Sequence, residues 1–225
     1  MKLLASDFDN TIFVKDKDIL EKNINSIRRF INLGNLFCII TGRNYSSLKN
    51  ELQKNSIPYS YLICEDGAQI FNNVDYCINT IYLSENKVDK IIAILEENNC
   101  KYYLDDGYNE TTNKNDCVKV VGYDYDDGIK KVLNELNEFS YAYLSTEHIN
   151  ITDKSANKYN SLKKLVEIEK LDMHDLFTIG DSENDYEMLK KLDGVLMTKH
   201  SEKLDGLNLK EYNYLYEYID ELINN

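Results

Sequence analysis

No stretch of this 225-residue sequence is apolar for long enough to span a membrane. No lysine- or arginine-rich run interrupts an acidic chain in which 39 Asp and Glu face 26 Lys and Arg, for a formal net charge of -13. The first absence excludes a membrane-spanning helix. The second argues against nucleic acid and anionic membranes as partners, because the summed field repels their phosphates. Internal repeats and heptads are missing, and proline occurs once. With 43% hydrophobic and 11% aromatic residues, the composition is that of a folded globular protein and not of a disordered or fibrous one. The N-terminus lacks the basic, apolar, small-residue order of a signal peptide, so the cytoplasm is the expected compartment. Cys38, Cys64, Cys77, Cys100 and Cys117 are odd in number, widely spaced and form no C-x-x-C pair, and the three histidines lie far apart. Reduced core cysteines are expected, and no zinc site.

What is present reads as alternating strands and helices. Leu3-Leu4-Ala5 leads into Asp7-Phe8-Asp9, a short apolar run ending in acids, as in a buried parallel strand whose C-terminal end borders a site. Leu20, Ile24, Ile27 and Ile31 recur at helical spacing, with Gly34 at the stop. Strands follow at Leu36 to Ile40 and Tyr61 to Cys64, with a helix through Leu48 and Leu52 between them and a turn at Asp66-Gly67. From Tyr82 the rhythm changes: a helix through Val88, Ile91 and Leu95, strands near Lys101–Leu104 and Val118–Tyr123, a polar loop Asn109 to Asp116, and a helix through Val132 and Leu136. After Ile151 the first rhythm returns, with strands at Leu176–Ile179 and Val195–Met197 and a last helix through Leu215, Ile219 and Leu222. The expected fold is α/β: a Rossmann-like doubly wound parallel sheet core, residues 1–81 and 154–225, with a smaller α/β cap inserted at 82–153.

Asp7 and Asp9 stand two apart on a predicted strand, so their carboxylates should point the same way and repel unless a cation or proton lies between them. Asp181, ending Thr178-Ile179-Gly180-Asp181, adds a third oxygen ligand if the two strands are neighbours. Taken singly, such acids equally cap helices or face water. Any anionic substrate of so acidic a chain must be drawn in by a local cluster of metal, lysine and backbone N–H groups.

Four strings occur in order along nearly the whole chain: Asp7-Phe8-Asp9-Asn10-Thr11, then Thr41-Gly42-Arg43, then Lys158, then Gly180-Asp181-Ser182-Glu183-Asn184-Asp185. They resemble the four motifs of the haloacid dehalogenase (HAD) superfamily. The insert, with Glu65-Asp66-Gly67-Ala68 and Ile149-Asn150-Ile151 before Asn157-Lys158, resembles the Cof-like branch, near sucrose-phosphate and phosphoglycolate phosphatases. Asn10 stands where glycine is common and Asp66 replaces an asparagine; both accept turn conformations.

The resemblance implies a phosphatase of small phosphorylated metabolites, sugar phosphate or phosphoglycolate-like, acting as monomer or homodimer. Asp7 is then the nucleophile and Asp9 the acid and base. Mg²⁺ is held by Asp7, Asp181 and the Asp9 carbonyl. Thr41, Gly42, Lys158, Asn10 and Asn184 hold the phosphoryl group, and Asp185 sits behind Lys158 or a metal-bound water. Arg43 is equally a salt-bridge partner or a phosphate ligand. Tyr103, Asp105, Asp106 and Tyr108 are cap candidates for the cleft, and His148 is placed at a hinge with a structural hydrogen bond. A phosphomutase resembling phosphomannomutase and a non-catalytic HAD-fold binding protein are the alternatives.

Overall fold

The computed structural model describes residues 1–125, 128–145 and 148–224. Strand β1 (Leu3–Asp7) leads through a tight loop to α1 (Lys17–Asn32), whose start is capped by the Asp16 carboxylate accepting from the Asp18 and Ile19 N–H groups. β2 (Leu36–Ile40), α2 (Tyr45–Asn55), β3 (Tyr61–Cys64), β4 (Gln69–Asn72) and β5 (Cys77–Thr80) follow. Next come α3 (Glu85–Glu97), β6 (Lys101–Asp105), β7 (Glu110–Thr111), β8 (Lys119–Tyr123), α4 (Ile129–Leu136), β9 (Ser140–Leu144) and β10 (Ile149–Asp153). The chain ends with α5 (Lys158–Glu169), β11 (Leu176–Gly180), α6 (Tyr186–Lys191), β12 (Val195–Met197), β13 (Glu211–Tyr212) and α7 (Leu215–Asn224).

Eight strands form one sheet in the order β13-β12-β11-β1-β2-β3-β4-β5. All neighbours from β13 to β3 are parallel, whereas β4 and β5 turn back antiparallel. The doubly wound α/β core expected from the sequence is present, with an antiparallel edge that the apolar pattern did not reveal. Side chains alternate across β1: Leu4 joins a core under α1 and α7, while Leu3 and Ala5 join a second core under α5 and α6. Winding runs outward from β1 in one direction through β2 and β3, and in the other through β11 and β12. The order therefore reverses between β1 and β11, and the crevice beyond their C-terminal ends is where such sheets bind ligands.

The smaller sheet has the order β7-β6-β8-β10-β9 and is antiparallel throughout. Its alternation is equally clear. Leu104, Val120, Ala142, Ile149 and Ile151 pack under α3 and α4, which leaves Asp105, Lys119, Tyr143 and Asn150 on the opposite face. The stretch Asn109 to Asp116, expected as a loop, contributes the short strand β7 paired to β6. β9 was not foreseen, because tyrosines occupy its polar face and blur the period-two contrast. Cys38, Cys64, Cys100 and Cys117 are buried and Cys77 is half-buried. Among the described residues no helix is long and apolar enough to cross a membrane.

Phe30 on α1 is fully buried in the core shared with α7. Phe30→Ala is expected to cost about 3–5 kcal/mol through lost burial and the cavity left behind, read as a lower urea midpoint.

Candidate active site

The three parallel strands β11, β1 and β2 end side by side, so Asp7 closes β1, Thr41 follows β2 and Asp181 follows β11 at one edge of the sheet. Lys158 is the first residue of α5 and reaches back to the same point. Its Nζ lies 2.6 Å from Asp7 Oδ1 and 2.6 Å from Asp185 Oδ1. The lysine side chain is 1% exposed, and a cation at a helix N-terminus opposes the helix dipole, so the two carboxylates are what make its place tenable. Asp185 is fixed in turn. Its Oδ2 accepts from the N–H of Asp181 (3.1 Å), the N–H of Ser182 (3.0 Å) and the Ser182 hydroxyl (3.1 Å). A Cβ at position 180 would stand 2.5 Å from the Asp185 carboxyl carbon, so Gly180 is required for this side chain to tuck under the strand end.

Asp7 and Asp9 both line one cavity but take different partners. Strand β1 ends at Asp7 and the chain turns, with Asn10 in the left-handed region at φ 61°. Asp9 instead meets Arg43, whose Nε and Nη2 donate to its two carboxylate oxygens at 2.8 and 2.6 Å. The guanidinium also lies 5.2 Å from the Phe8 ring centre. Of the two readings of Arg43, the geometry shows the bidentate salt bridge.

Oxygens of Asp7, Asp181 and Asp185 lie within 4.8 Å of one another. Both Asp185 oxygens are already engaged, which leaves Asp7 and Asp181 as the carboxylates able to hold a cation. An all-oxygen donor set suits a hard ion such as Mg²⁺. Burial raises the Asp7 carboxyl well above its usual value against the pull of Lys158, and Asp185 and Asp181 push it the same way. Burial, helped by Asp185, lifts Asp181 to about 6. Lys158 is held protonated, because attraction to Asp185 and Asp7 outweighs its desolvation. Three carboxylates on one ammonium leave negative charge uncompensated, and a cation between Asp7 and Asp181 would relieve it.

A cavity of about 490 Å³ opens above these groups. Its floor holds Asp7, Asp9, Asn10, Thr41, Gly42, Arg43, Asp181 and Asn184, and its roof is Tyr143, Leu144, Ser145 and Asn150 of the smaller sheet. Tyr143 is held by donating to Asp66 Oδ1 at 2.8 Å, and Asn184 donates to the same oxygen at 2.9 Å. Asp66 takes φ 55°, the turn conformation expected of it, and Gly67 follows at φ 111°, where a Cβ would sit 2.5 Å from the Asn157 carbonyl.

None of the four cap candidates lines this cavity. Tyr103 packs beside Tyr123, and Asp105 accepts from Asn44. Asp106 caps the turn at Tyr108 and Asn109, while Tyr108 packs on Tyr45 and Phe71. His148 lies at the β9–β10 connection, not a hinge, and its carbonyl accepts from the Ser145 N–H. The roof residues were missed although Tyr143 and Asn150 pair across β9 and β10, a match that two sequence-distant periodicities read together would have indicated.

Carboxylates and a lysine thus gather at the switch point of a doubly wound α/β sheet, under a smaller roofing sheet. The model of the haloacid dehalogenase-like hydrolases matches residues 4–121 and 104–206 of the chain. The chain belongs to that family, and the resemblance read from its motifs is borne out. It is 25% identical over 203 residues to the 5-amino-6-(5-phospho-D-ribitylamino)uracil phosphatase of Bacillus subtilis, covering 85% of this chain and 81% of the relative. It is 26% identical over 206 residues to the phosphoglycolate phosphatase of Methanobrevibacter smithii, covering 84% and 81%. A solved haloacid dehalogenase-like hydrolase from B. subtilis superposes with a TM-score of 0.86 at 16% identity, covering 99% of this chain and all of that one, 100%.

Beneath the roof, Lys119 of β8 forms a buried ion pair with Glu65 and donates to the Gly42 carbonyl at 2.9 Å. Burial pushes the Glu65 carboxyl from 4.5 up to about 7; Lys119 opposes that rise, and Asp105 and Asp66 add to it. The folded protein thus holds this proton more tightly than the unfolded chain does. The stability contributed by Glu65 is full below pH 4.5 and lost as pH rises through about 7. The stability of wild type relative to Glu65→Gln, followed by urea denaturation across that window, should decline with rising pH; a difference independent of pH would show the carboxyl ionised throughout.

Proposed function

We propose that this protein is a magnesium-dependent phosphomonoester hydrolase that works through an aspartyl-phosphate on Asp7. The observation that carries the reading is Asp7 itself: buried at the end of β1, 2.6 Å from Lys158, and facing an open cavity beside Asp181. The protein is a phosphatase of small phosphorylated metabolites, with residues 82–153 acting as a cap on a core formed by 1–81 and 154–225. It works in the cytoplasm.

Asp7, Asp181 and the Asp9 carbonyl would hold Mg²⁺, which when bound neutralises phosphoryl charge and aligns phosphorus with Asp7. The Asp7 carboxylate oxygen forms a bond to phosphorus as the bond to the leaving oxygen breaks. Lys158, whose charge is kept by its two carboxylates, meets one phosphoryl oxygen. The Thr41 hydroxyl and the backbone at Gly42 and Asn10 meet the others. Asn184, tied to Asp66, bounds the pocket and gives its edge a fixed dipole. Asp9 delivers a proton to the departing alcohol. It then takes one from the water that attacks the aspartyl-phosphate, returning Asp7 as a carboxylate and releasing phosphate. Arg43 orients Asp9, and one of its two bonds must yield when Asp9 carries the proton. The half-polar roof of Tyr143, Ser145 and Asn150 suits a hydroxylated leaving group of sugar-phosphate or phosphoglycolate size. The relative named as a phosphoglycolate phosphatase accords with that range, and the other is named for a phosphorylated ribityl chain carried on uracil.

Phosphate release from a panel of phosphomonoesters should require Mg²⁺ and fall to background in Asp7→Asn. Asp9→Asn should lower kcat by roughly 10²–10⁴-fold. Equal release from wild type and Asp7→Asn would overturn the reading, and transfer of the phosphoryl group to another hydroxyl without phosphate release would identify a mutase.

A further inference from the structure

Asn10 and Asp181 border a second space as well as the catalytic cavity. Two adjoining cavities of about 750 and 380 Å³ share Asn10, Val14, Lys15, Thr198 and Lys199 and run as one groove from Asp181 to Tyr214. None of its lining comes from the smaller sheet. Lys15 sits in the loop before α1 and Lys199 in the loop after β12, so the fold brings them together at the C-terminal edge of the parallel sheet.

Both lysines are exposed, and neither side-chain amine has an ion pair or hydrogen bond among the described residues. The nearby charged side chains are committed elsewhere. Asp16 caps α1 through the Asp18 and Ile19 N–H groups at 3.0 and 3.2 Å. The His200 ring spans the Met197 carbonyl at 2.7 Å and Asp205 at 3.1 Å. In a chain of net charge -13, two ammonium groups without partners on one groove offset the Asp16 and Asp181 carboxylates that share its lining and offer an anion two positive contacts. A cation between Asp7 and Asp181 can neutralise only the phosphoryl group being transferred, so a second anionic end of the substrate needs its own counter-charge. Val14, Ile19 and Met197 give the groove an apolar wall against which a short carbon chain can lie.

We propose that this groove is a subsite for a second anionic group, carboxylate or phosphate, of the phosphomonoester substrate, held by Lys15 and Lys199. The proposal rests on the phosphatase reading above and narrows its substrate class to doubly anionic esters.

The test is equilibrium binding to the Asp7→Asn protein with Mg²⁺, using ester pairs that differ in the far group: phosphoglycerate against glycerol phosphate, and glucose bisphosphate against glucose monophosphate. The doubly anionic member should bind about tenfold tighter or more, with an advantage that shrinks at high salt. Lys15→Gln/Lys199→Gln in the same background should abolish the advantage; both side chains are at the surface, so the fold should persist, as a circular dichroism melt will show. An advantage in one pair alone supports the subsite and identifies its anion. Equal affinity within both pairs, or an advantage that survives the double substitution, overturns it. Phosphate release by the wild-type protein is scored separately: binding preference without release from any ester overturns the hydrolase reading and not the subsite, and release without preference does the reverse.

Discussion

The ammonium of Lys158 between Asp7 and Asp185 is the contact on which the rest of the site depends. It joins the end of β1, the start of α5 and the loop after β11 within two hydrogen bonds of 2.6 Å. Removing the Lys158 ammonium would leave two carboxylates uncompensated in a place almost without water, a far larger penalty than the loss of a surface pair. The neighbouring architecture follows from keeping that arrangement intact. Gly180 has no side chain because Asp185 occupies the space, and Asp185 is anchored by backbone N–H groups so that it holds the lysine rather than a metal.

A second buried charge pair joins the two sheets. Lys119 crosses from β8 to Glu65 and the Gly42 carbonyl, Asn44 bonds Asp105, the Tyr45 N–H donates to the Gly107 carbonyl, and Tyr143 and Asn184 meet on Asp66. These directional polar contacts act beside apolar packing of Tyr108 on Tyr45 and Phe71 and of Val118 against Ala68 and Ala156. Glu65 Oε1 and Asp66 Oδ2 are left without hydrogen-bond partners at this junction, the cost of fixing the roof in register with the floor.

Much of this was legible in the residue order. Short apolar runs at Leu36–Ile40 and Tyr61–Cys64 became strands β2 and β3, and the helical spacing of Leu20, Ile24 and Ile27 became the buried face of α1. Asn10 and Asp66 took the left-handed conformations that their residue types tolerate. The readings that failed have physical causes. Asp7 and Asp9 take different partners, with the strand ending at Asp7, and sequence spacing alone cannot show where a strand gives way to a turn. The tyrosines and acids near residue 105 were taken for cleft residues on chemistry alone, but they lie at the joint between the sheets, where their hydrogen bonds serve packing.

What the sequence determined by itself is the alternation of strands and helices and the presence, in order, of four chemically competent strings, since local periodicity and residue type are properties of neighbours along the chain. Tertiary structure decided which of those groups meet. It set Lys158 against Asp7 across 151 residues, gave Arg43 to Asp9, and brought Tyr143 and Asn150 rather than Tyr108 over the cavity. It also placed Lys15 and Lys199 on one groove. Such meetings depend on strand order, register and the angle between two sheets, quantities fixed by the packing of the whole chain and carried by no single segment of it.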